Sequence, residues 1–259
     1  MKRYCHTYLK LYSSFKKDRK KEMRIMAHRG FSSNAPENTL TAFKKAIDLG
    51  CQWIELDVQL TADNVPIVIH DETLERCTTG HGVVSSLTLK NIKQLSAGSW
   101  FDPEFYSETV PTLEEVLLLA ITHSIKINVE LKPYLNHSDN ALCYHVAQVI
   151  KKLQIPPSLV LFSSFSLSAL EQIKQVLPEF RRGMLWEKIP EHPFSLLENL
   201  DAYSVHCDYR YLNQTQAHVI KEKGYQLYCY TPNNPLDVQM HWLWGVDMMI
   251  TDTPQRYLN

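Results

Sequence analysis

Nine short apolar runs punctuate the chain after Arg24: "RIMAHRG", "CQWIELDVQL", "VPIVIHD", "IKINVELK", "LVLFSSF", "RGMLWE", "AYSVHCDY", "YQLYCYT" and "VDMMITDT". Helix-length segments separate most of them, and strand–helix alternation on this scale reads as a parallel α/β sheet or a (β/α)₈ barrel. One gap breaks the pattern. Only Thr61, Ala62, Asp63 and Asn64 stand between "ELDVQL" and "VPIVIHD". A parallel crossover needs about a dozen residues, so these two runs must pair as an antiparallel hairpin. With "PIVIH" set aside as an arm over the barrel, eight parallel strands remain, and the expected fold is α/β, a (β/α)₈ TIM-type barrel.

The helices carry their own boundaries. One is expected from about Thr39 to a stop at Gly50; Thr112 with Glu115 forms a capping box; Asn213 with Gln216 resembles another; Gly224 suits the position just past a helix end. The stretch from Glu72 to Val110 is rich in Thr, Ser and Gly, with one helical pattern at about Leu89 to Leu95. It offers no strand to the main sheet and is expected to form a small inserted lobe after the His70-Asp71 arm. The expected organisation is a basic tail over 1–24 and one barrel domain over 25–259, with the lobe at 72–110 inside it.

Charge is unevenly spread. Residues 1–24 hold nine Lys/Arg against Asp18 and Glu22, a balance of +7, which leaves the remainder at −8 within a formal total of −1. A body this acidic handles a phosphate only through local cations or a bound metal. The basic segment lacks the apolar core of a secretory signal, and no run is long enough to span a membrane. It is read as a solvated extension, or as an upstream start with Met23 the real beginning, rather than as a nucleic-acid or membrane patch. The six cysteines show no CxxC and no close pairs, which fits reduced thiols in a cytoplasmic protein.

Glu55 and Asp57 stand two apart in one strand, so both project into the barrel interior while Ile54, Leu56 and Val58 face the helices. The same arithmetic puts Glu130 and Lys132 on one face of "INVELK". Three inward carboxylates lose hydration and repel one another unless positive charge sits among them. An all-oxygen set suits Mg²⁺ or Ca²⁺. A salt-bridged cluster with Lys132 and Arg29 is the structural alternative, and two inward pairs in one barrel favour the metal. His28 and His70 each end an apolar run beside a charged neighbour, at the face where barrel enzymes place their sites. Two imidazoles divide proton transfer between nucleophile and leaving group, while Arg29 and Lys132 contact phosphate oxygens. The other nine histidines are read as structural, and Phe165 and Trp244 as packing residues.

The ordered pieces "AHRG", "PENT", "ELDVQLTAD", "PIVIHD", "TTGHG", "AGSWF", "VPTLEEVL", "ELK", "SSF" and "GVDMMITDTP" resemble the glycerophosphodiester phosphodiesterases, of the phosphatidylinositol-phospholipase-C-like barrel superfamily, over nearly the whole chain after Arg24. The resemblance implies divalent-metal-dependent hydrolysis of small glycerophosphodiesters to glycerol 3-phosphate and an alcohol. A cyclising or lysolipid-directed phosphodiesterase is the nearest alternative, and an inactive binding barrel the distant one. It also implies paired histidines at His28 and His70, metal carboxylates at Glu55, Asp57 and Glu130, and phosphate contacts at Arg29 and Lys132. Glu37 and Asn38 match the family's loop after the first strand, where Asn38 either shapes the site or caps the next helix. The chain departs from the family at Tyr230, Thr231, Pro232, Asn233, where the family often has Trp-Thr, an apolar residue and Asn; this touches the expected pocket wall.

Overall fold

The computed structural model describes residues 24–134 and 139–258. Of the basic-tail reading over 1–24 only Arg24 lies within them, its carbonyl accepting from the Met249 N–H at 3.0 Å; the rest, together with Cys5, His6 and His137, lies outside.

The nine expected runs all form strands: β1 (Ile25–Ala27), β2 (Trp53–Leu60), β3 (Pro66–Val68), β4 (Lys126–Leu131), β5 (Val160–Ser164), β6 (Arg181–Trp186), β7 (Ser204–Asp208), β8 (Gln226–Tyr230) and β9 (Met248–Thr251). Eight are parallel and close in the order β1-β2-β4-β5-β6-β7-β8-β9, with β1 bonded to both β2 and β9. The helices are α1 (Leu40–Asp48), α2 (Leu89–Ile92), α3 (Leu113–His123), α4 (Asp139–Lys152), α5 (Leu167–Val176), α6 (Phe194–Asn199), α7 (Gln214–Glu222) and α8 (Gln239–Leu243). This is the (β/α)₈ barrel.

The exception is the antiparallel strand. β2 is long: its first half pairs with β1 at Trp53 and Ile54, and its second half runs past the end of β1. There β3 takes the vacated edge, with Val68 opposite Val58 and Pro66 opposite Leu60. Because β3 runs back down, the Ile69 N–H reaches the Asp57 carbonyl at 3.1 Å. His70 therefore returns to the level of the inward carboxylates.

Side-chain alternation sorts the core. Ile54, Leu56, Val58 and Leu60 pack outward with Phe43 of α1, Leu113 and Leu117 of α3 and Val146 of α4. Met26, Trp53, Leu161, Tyr228, Met248 and Ile250 form an apolar cluster of their own inside the barrel. Helix α1 starts on Thr39, whose hydroxyl accepts from the Ala42 N–H at 3.2 Å, and stops at Gly50 with φ +92°. Helix α3 has the full Thr112/Glu115 capping box, and Gly224 follows α7 with φ +86°. At the Asn213 cap the side chain accepts from the Gln216 N–H at 2.9 Å. In 72–110 the helix is shorter than expected, ending at Ile92, and Leu74, Val84, Ile92, Ala97 and Val110 cluster with Ile67 and Ile69 of the hairpin arm.

Candidate active site

The first strand ends in a turn that aims both backbone and side chains at the barrel mouth. Arg29 adopts φ +56°, a left-handed conformation that costs of order 1 kcal/mol for a side-chain-bearing residue, and its N–H donates to Glu55 Oε2 at 3.0 Å. Gly30 follows with φ +86°; a Cβ there would lie 2.7 Å from Ala42 Cβ, so only glycine lets this turn sit against α1.

Glu55, Asp57 and Glu130 converge as expected, each offering one oxygen within 4.8 Å of the others. Asp57 pairs in register with Glu130, which brings the strands' acids side by side. All three are buried. Two cations stand among them: Arg29 Nε lies 3.1 Å from Asp57 Oδ2, and Lys132 Nζ lies 2.5 Å from Glu130 Oε1 and 3.3 Å from Asp57 Oδ1. The salt-bridged alternative is thus part of the picture, but it does not exhaust it. Three carboxylates face two cations, and Glu55 Oε1 is buried without a hydrogen-bond partner.

The electrostatics follow that imbalance. Burial, then the charges of Asp57 and Glu130, push the Glu55 carboxyl well above the usual range. Burial also raises Glu130 although Lys132 opposes it. Burial would raise Asp57 too, but Arg29 and Lys132 outweigh it and hold that carboxylate ionised. A buried acid made reluctant to ionise by its neighbours, with an oxygen that no hydrogen bond satisfies, is the environment a hard divalent cation relieves.

His28 and His70 flank this cluster, each with a carboxylate behind it. His28 Nδ1 lies 2.6 Å from Asp252 Oδ1, and its Nε2 points toward Glu55 Oε2 at 3.9 Å. His70 Nδ1 lies 2.6 Å from Asp71 Oδ1. Both carboxylates are held near pKa 2: burial raises Asp252 but the His28 hydrogen bond and charge prevail, while the Arg76 hydrogen bond leads for Asp71. Ionised carboxylates only accept, so each Nδ1 donates and each Nε2 is left for the site. Burial lowers His70, with Asp57 opposing and Arg29 and Lys132 reinforcing.

Sequence reasoning passed over the groups that fix these rings. Asn233 Nδ2 donates to Asp252 Oδ2 at 2.7 Å and Ser32 Oγ to Asp252 Oδ1 at 3.0 Å. Gln59, inward on β2, donates to the carbonyls of Ile69 at 3.0 Å and Asp71 at 2.7 Å, and Tyr134 donates to the His70 carbonyl at 2.6 Å. Gln59 had a signal, since it shares the inward face of Glu55 and Asp57. Asp252 closes the last barrel strand at the mouth, a second one. Two expectations are settled or corrected. Asn38 shapes the site, donating to Asp57 Oδ2 at 2.9 Å, while Thr39 is the helix cap. Phe165 is not core: it is half-exposed, edge-on to Tyr230 at 6.1 Å, with Lys132 Nζ 5.9 Å from its ring centroid. Trp244 packs, as expected, against a separate apolar cluster that holds Val238, Val246 and Met249. The departure at Tyr230 to Asn233 keeps the asparagine that holds Asp252, and the Tyr230 hydroxyl donates to the Trp186 carbonyl at 2.9 Å.

Comparison with known proteins shows the family and the fold. Residues 28–256 match the model of the glycerophosphoryl diester phosphodiesterase family. The chain belongs to that family. A glycerophosphodiester phosphodiesterase of Caldanaerobacter subterraneus subsp. tengcongensis is 36% identical over 240 residues, covering 91% of this chain and 96% of that protein. Among solved structures, an Oleispira antarctica phosphodiesterase in complex with the product sn-glycerol-3-phosphate superimposes with TM-score 0.87 at 35% identity, covering 90% of this chain and 94% of that one. A glycerophosphodiester phosphodiesterase from Agrobacterium tumefaciens gives 0.76 at 29% identity, covering 91% and 98%. No helix among the described residues is long and apolar enough to cross a membrane.

Proposed function

We propose that this family member hydrolyses small glycerophosphodiesters to glycerol 3-phosphate and an alcohol, with Glu55, Asp57 and Glu130 holding one Mg²⁺ or Ca²⁺ ion and His28 and His70 moving the protons. The observation that carries the reading is the convergence of three buried carboxylates, one with a free oxygen, between two carboxylate-backed imidazoles. Charge supports it as well. With all three acids ionised, two cations leave the centre one negative charge in excess, which would repel a phosphodiester monoanion. A divalent cation reverses the sign and makes the centre attractive to it.

Held there by Glu55, Asp57 and Glu130, such a cation would polarise the phosphoryl group and lower the pKa of an attacking hydroxyl. The protein's own groups do the rest. Lys132 and Arg29 contact non-bridging oxygens, Lys132 as a point charge and Arg29 through the part of its planar fork that Asp57 and Glu37 leave free. One imidazole Nε2 accepts the nucleophile's proton and the other donates to the departing oxygen; Asp252 and Asp71 hold the rings in the tautomer that leaves Nε2 available. Phe165 and Tyr230 offer an apolar edge beside Lys132 for the alcohol. The five described cysteines are free and buried, which supports a reducing, cytoplasmic setting.

The test is phosphorus NMR of glycerophosphocholine and glycerophosphoethanolamine incubated with the chelator-stripped protein, then with Mg²⁺ or Ca²⁺ restored. Glycerol 3-phosphate should appear only when a cation is present. Accumulation of a cyclic phosphate would favour the cyclising alternative, and no turnover with either cation would reject the reading.

A further inference from the structure

Arg76 lies beyond the hairpin arm, is half-exposed, and forms no ion pair with the acidic triad. It nevertheless spends four N–H donations on two carboxylates from different loops. Nε donates to Asp71 Oδ2 at 2.5 Å and Nη2 to Asp71 Oδ1 at 2.9 Å; Nη1 and Nη2 donate to Glu37 Oε2 and Oε1 at 2.8 and 2.9 Å. Each carboxylate has a second duty. Asp71 Oδ1 takes the His70 Nδ1 hydrogen bond at 2.6 Å, and Glu37 Oε1 takes that of Arg29 Nη1 at 2.7 Å.

We propose that Arg76 is a positioning residue, a clamp that aims His70 and Arg29 together through Asp71 and Glu37. The proposal rests on the function argued above.

The physical case has three steps. Asp71 and Glu37 arrive from two different loops onto one guanidinium and would repel each other without a cation between them. A planar fork satisfies both at once, because its five donors are fixed in geometry; a lysine ammonium is a single point and lacks that bidentate match. Release of the clamp frees both carboxylates to rotate. Asp71 then no longer dictates the His70 ring, and Glu37 competes more strongly for Arg29, drawing its guanidinium from the phosphate. Small displacements of this kind cost far more in rate than in stability, since misplacement by about 1 Å costs about 10²-fold. Acidity agrees with the geometry: burial would raise Glu37, but the Arg76 hydrogen bond and the charges of both arginines lower it.

The experiment measures kcat and KM of the cation-loaded enzyme on glycerophosphocholine for wild type, Arg76→Ala and Arg76→Lys. The same Arg76→Ala change is then repeated in an Asp71→Asn, Glu37→Gln background, with melting temperatures alongside. Arg76→Ala should lose about 10- to 100-fold in kcat/KM, and Arg76→Lys should recover only part of it. In the double background the further loss should shrink below about threefold, because the carboxylates through which Arg76 acts are already disabled. Should Arg76→Ala melt below the assay temperature, Arg76→Lys, which keeps the charge and stem, should still lose at least about fivefold. Activity of either variant within twofold of wild type overturns the clamp, as does an undiminished loss in the double background. An inactive wild type would instead overturn the functional reading, and the clamp with it.

Discussion

Two walls of this barrel bury polar groups in opposite ways. On the β2/β4 wall three carboxylates meet two cations, and Glu55 Oε1 has neither a hydrogen bond nor an ion-pair partner. On the β6/β7 wall His206 is buried without any carboxylate, its Nε2 2.8 Å from Ser204 Oγ and its ring 4.8 Å from that of Tyr228. Gly183 makes the space: a Cβ there would come within 2.6 Å of both His206 Nε2 and Ser204 Oγ. Burial alone drives this imidazole neutral, to a pKa of about 3. The second wall solves its problem by discarding charge, while the first retains charge that its own residues do not balance. Unbalanced buried charge is costly to a fold and is explained by a ligand that neutralises it.

The largest expected effect tests that contrast directly. Glu55→Gln should lower kcat/KM by about 10³-fold or more, since it removes an oxygen from the proposed cation seat. In chelator, however, it should melt no lower than wild type and up to about 2–4 °C higher, because a carboxyl repelled by Asp57 and Glu130 is gone. A variant that melts several degrees lower yet keeps its activity would make the β2/β4 wall a structural salt-bridge cluster like any other.

The next effect separates the two imidazoles. His28→Ala and His70→Ala should each lose about 10²- to 10⁴-fold on an alkyl diester. One of them, the acid, should recover most of its rate on a nitrophenyl ester, whose leaving group departs unprotonated. Equal losses on both substrates for both variants would reject the division of proton transfer.

These residues were visible in the sequence for reasons that explain what was not. A strand's period of two shows its inward carboxylates without coordinates, and the four-residue gap at Thr61 to Asn64 forces the hairpin that returns His70 to them. Closure was equally readable, from the strand count. The invisible part is held by contacts between distant loops. Asp252 meets His28 across 224 positions, and Arg76 meets Glu37 across 39, and neither contact leaves a periodic trace. Phe165 misled because an aromatic after a strand is core by default, whereas here it ends the strand at the open mouth.

A smaller effect probes one such distant contact. Asp252→Asn replaces an obligate acceptor with a side chain that can present an N–H to His28 Nδ1, while Asn233 and Ser32 continue to hold it in place. The ring then loses its fixed tautomer. The expected loss is about 10²-fold in kcat at nearly unchanged KM, with circular dichroism unaltered. An equal loss in KM instead would mean that Asp252 contacts substrate rather than ring.

The smallest effect belongs to the neutral wall and appears in stability, not in rate. His206 has its folded pKa depressed to about 3, against about 6.5 when unfolded, so below pH 6.5 the unfolded chain binds the extra proton. Its contribution is therefore fully present above that pH and drains away as pH falls toward 3. Between pH 7 and pH 5 the loss amounts to about 2 kcal/mol. Urea unfolding at both pH values should show wild type losing about that much more than His206→Asn, which has nothing to titrate, while kcat of the variant at pH 7 stays within a few-fold. Parallel pH slopes would mean that the ring is hydrated or charged in the fold. An activity loss matching that of Glu55→Gln would dissolve the distinction between the walls, because the neutral side would then be part of the reaction as well.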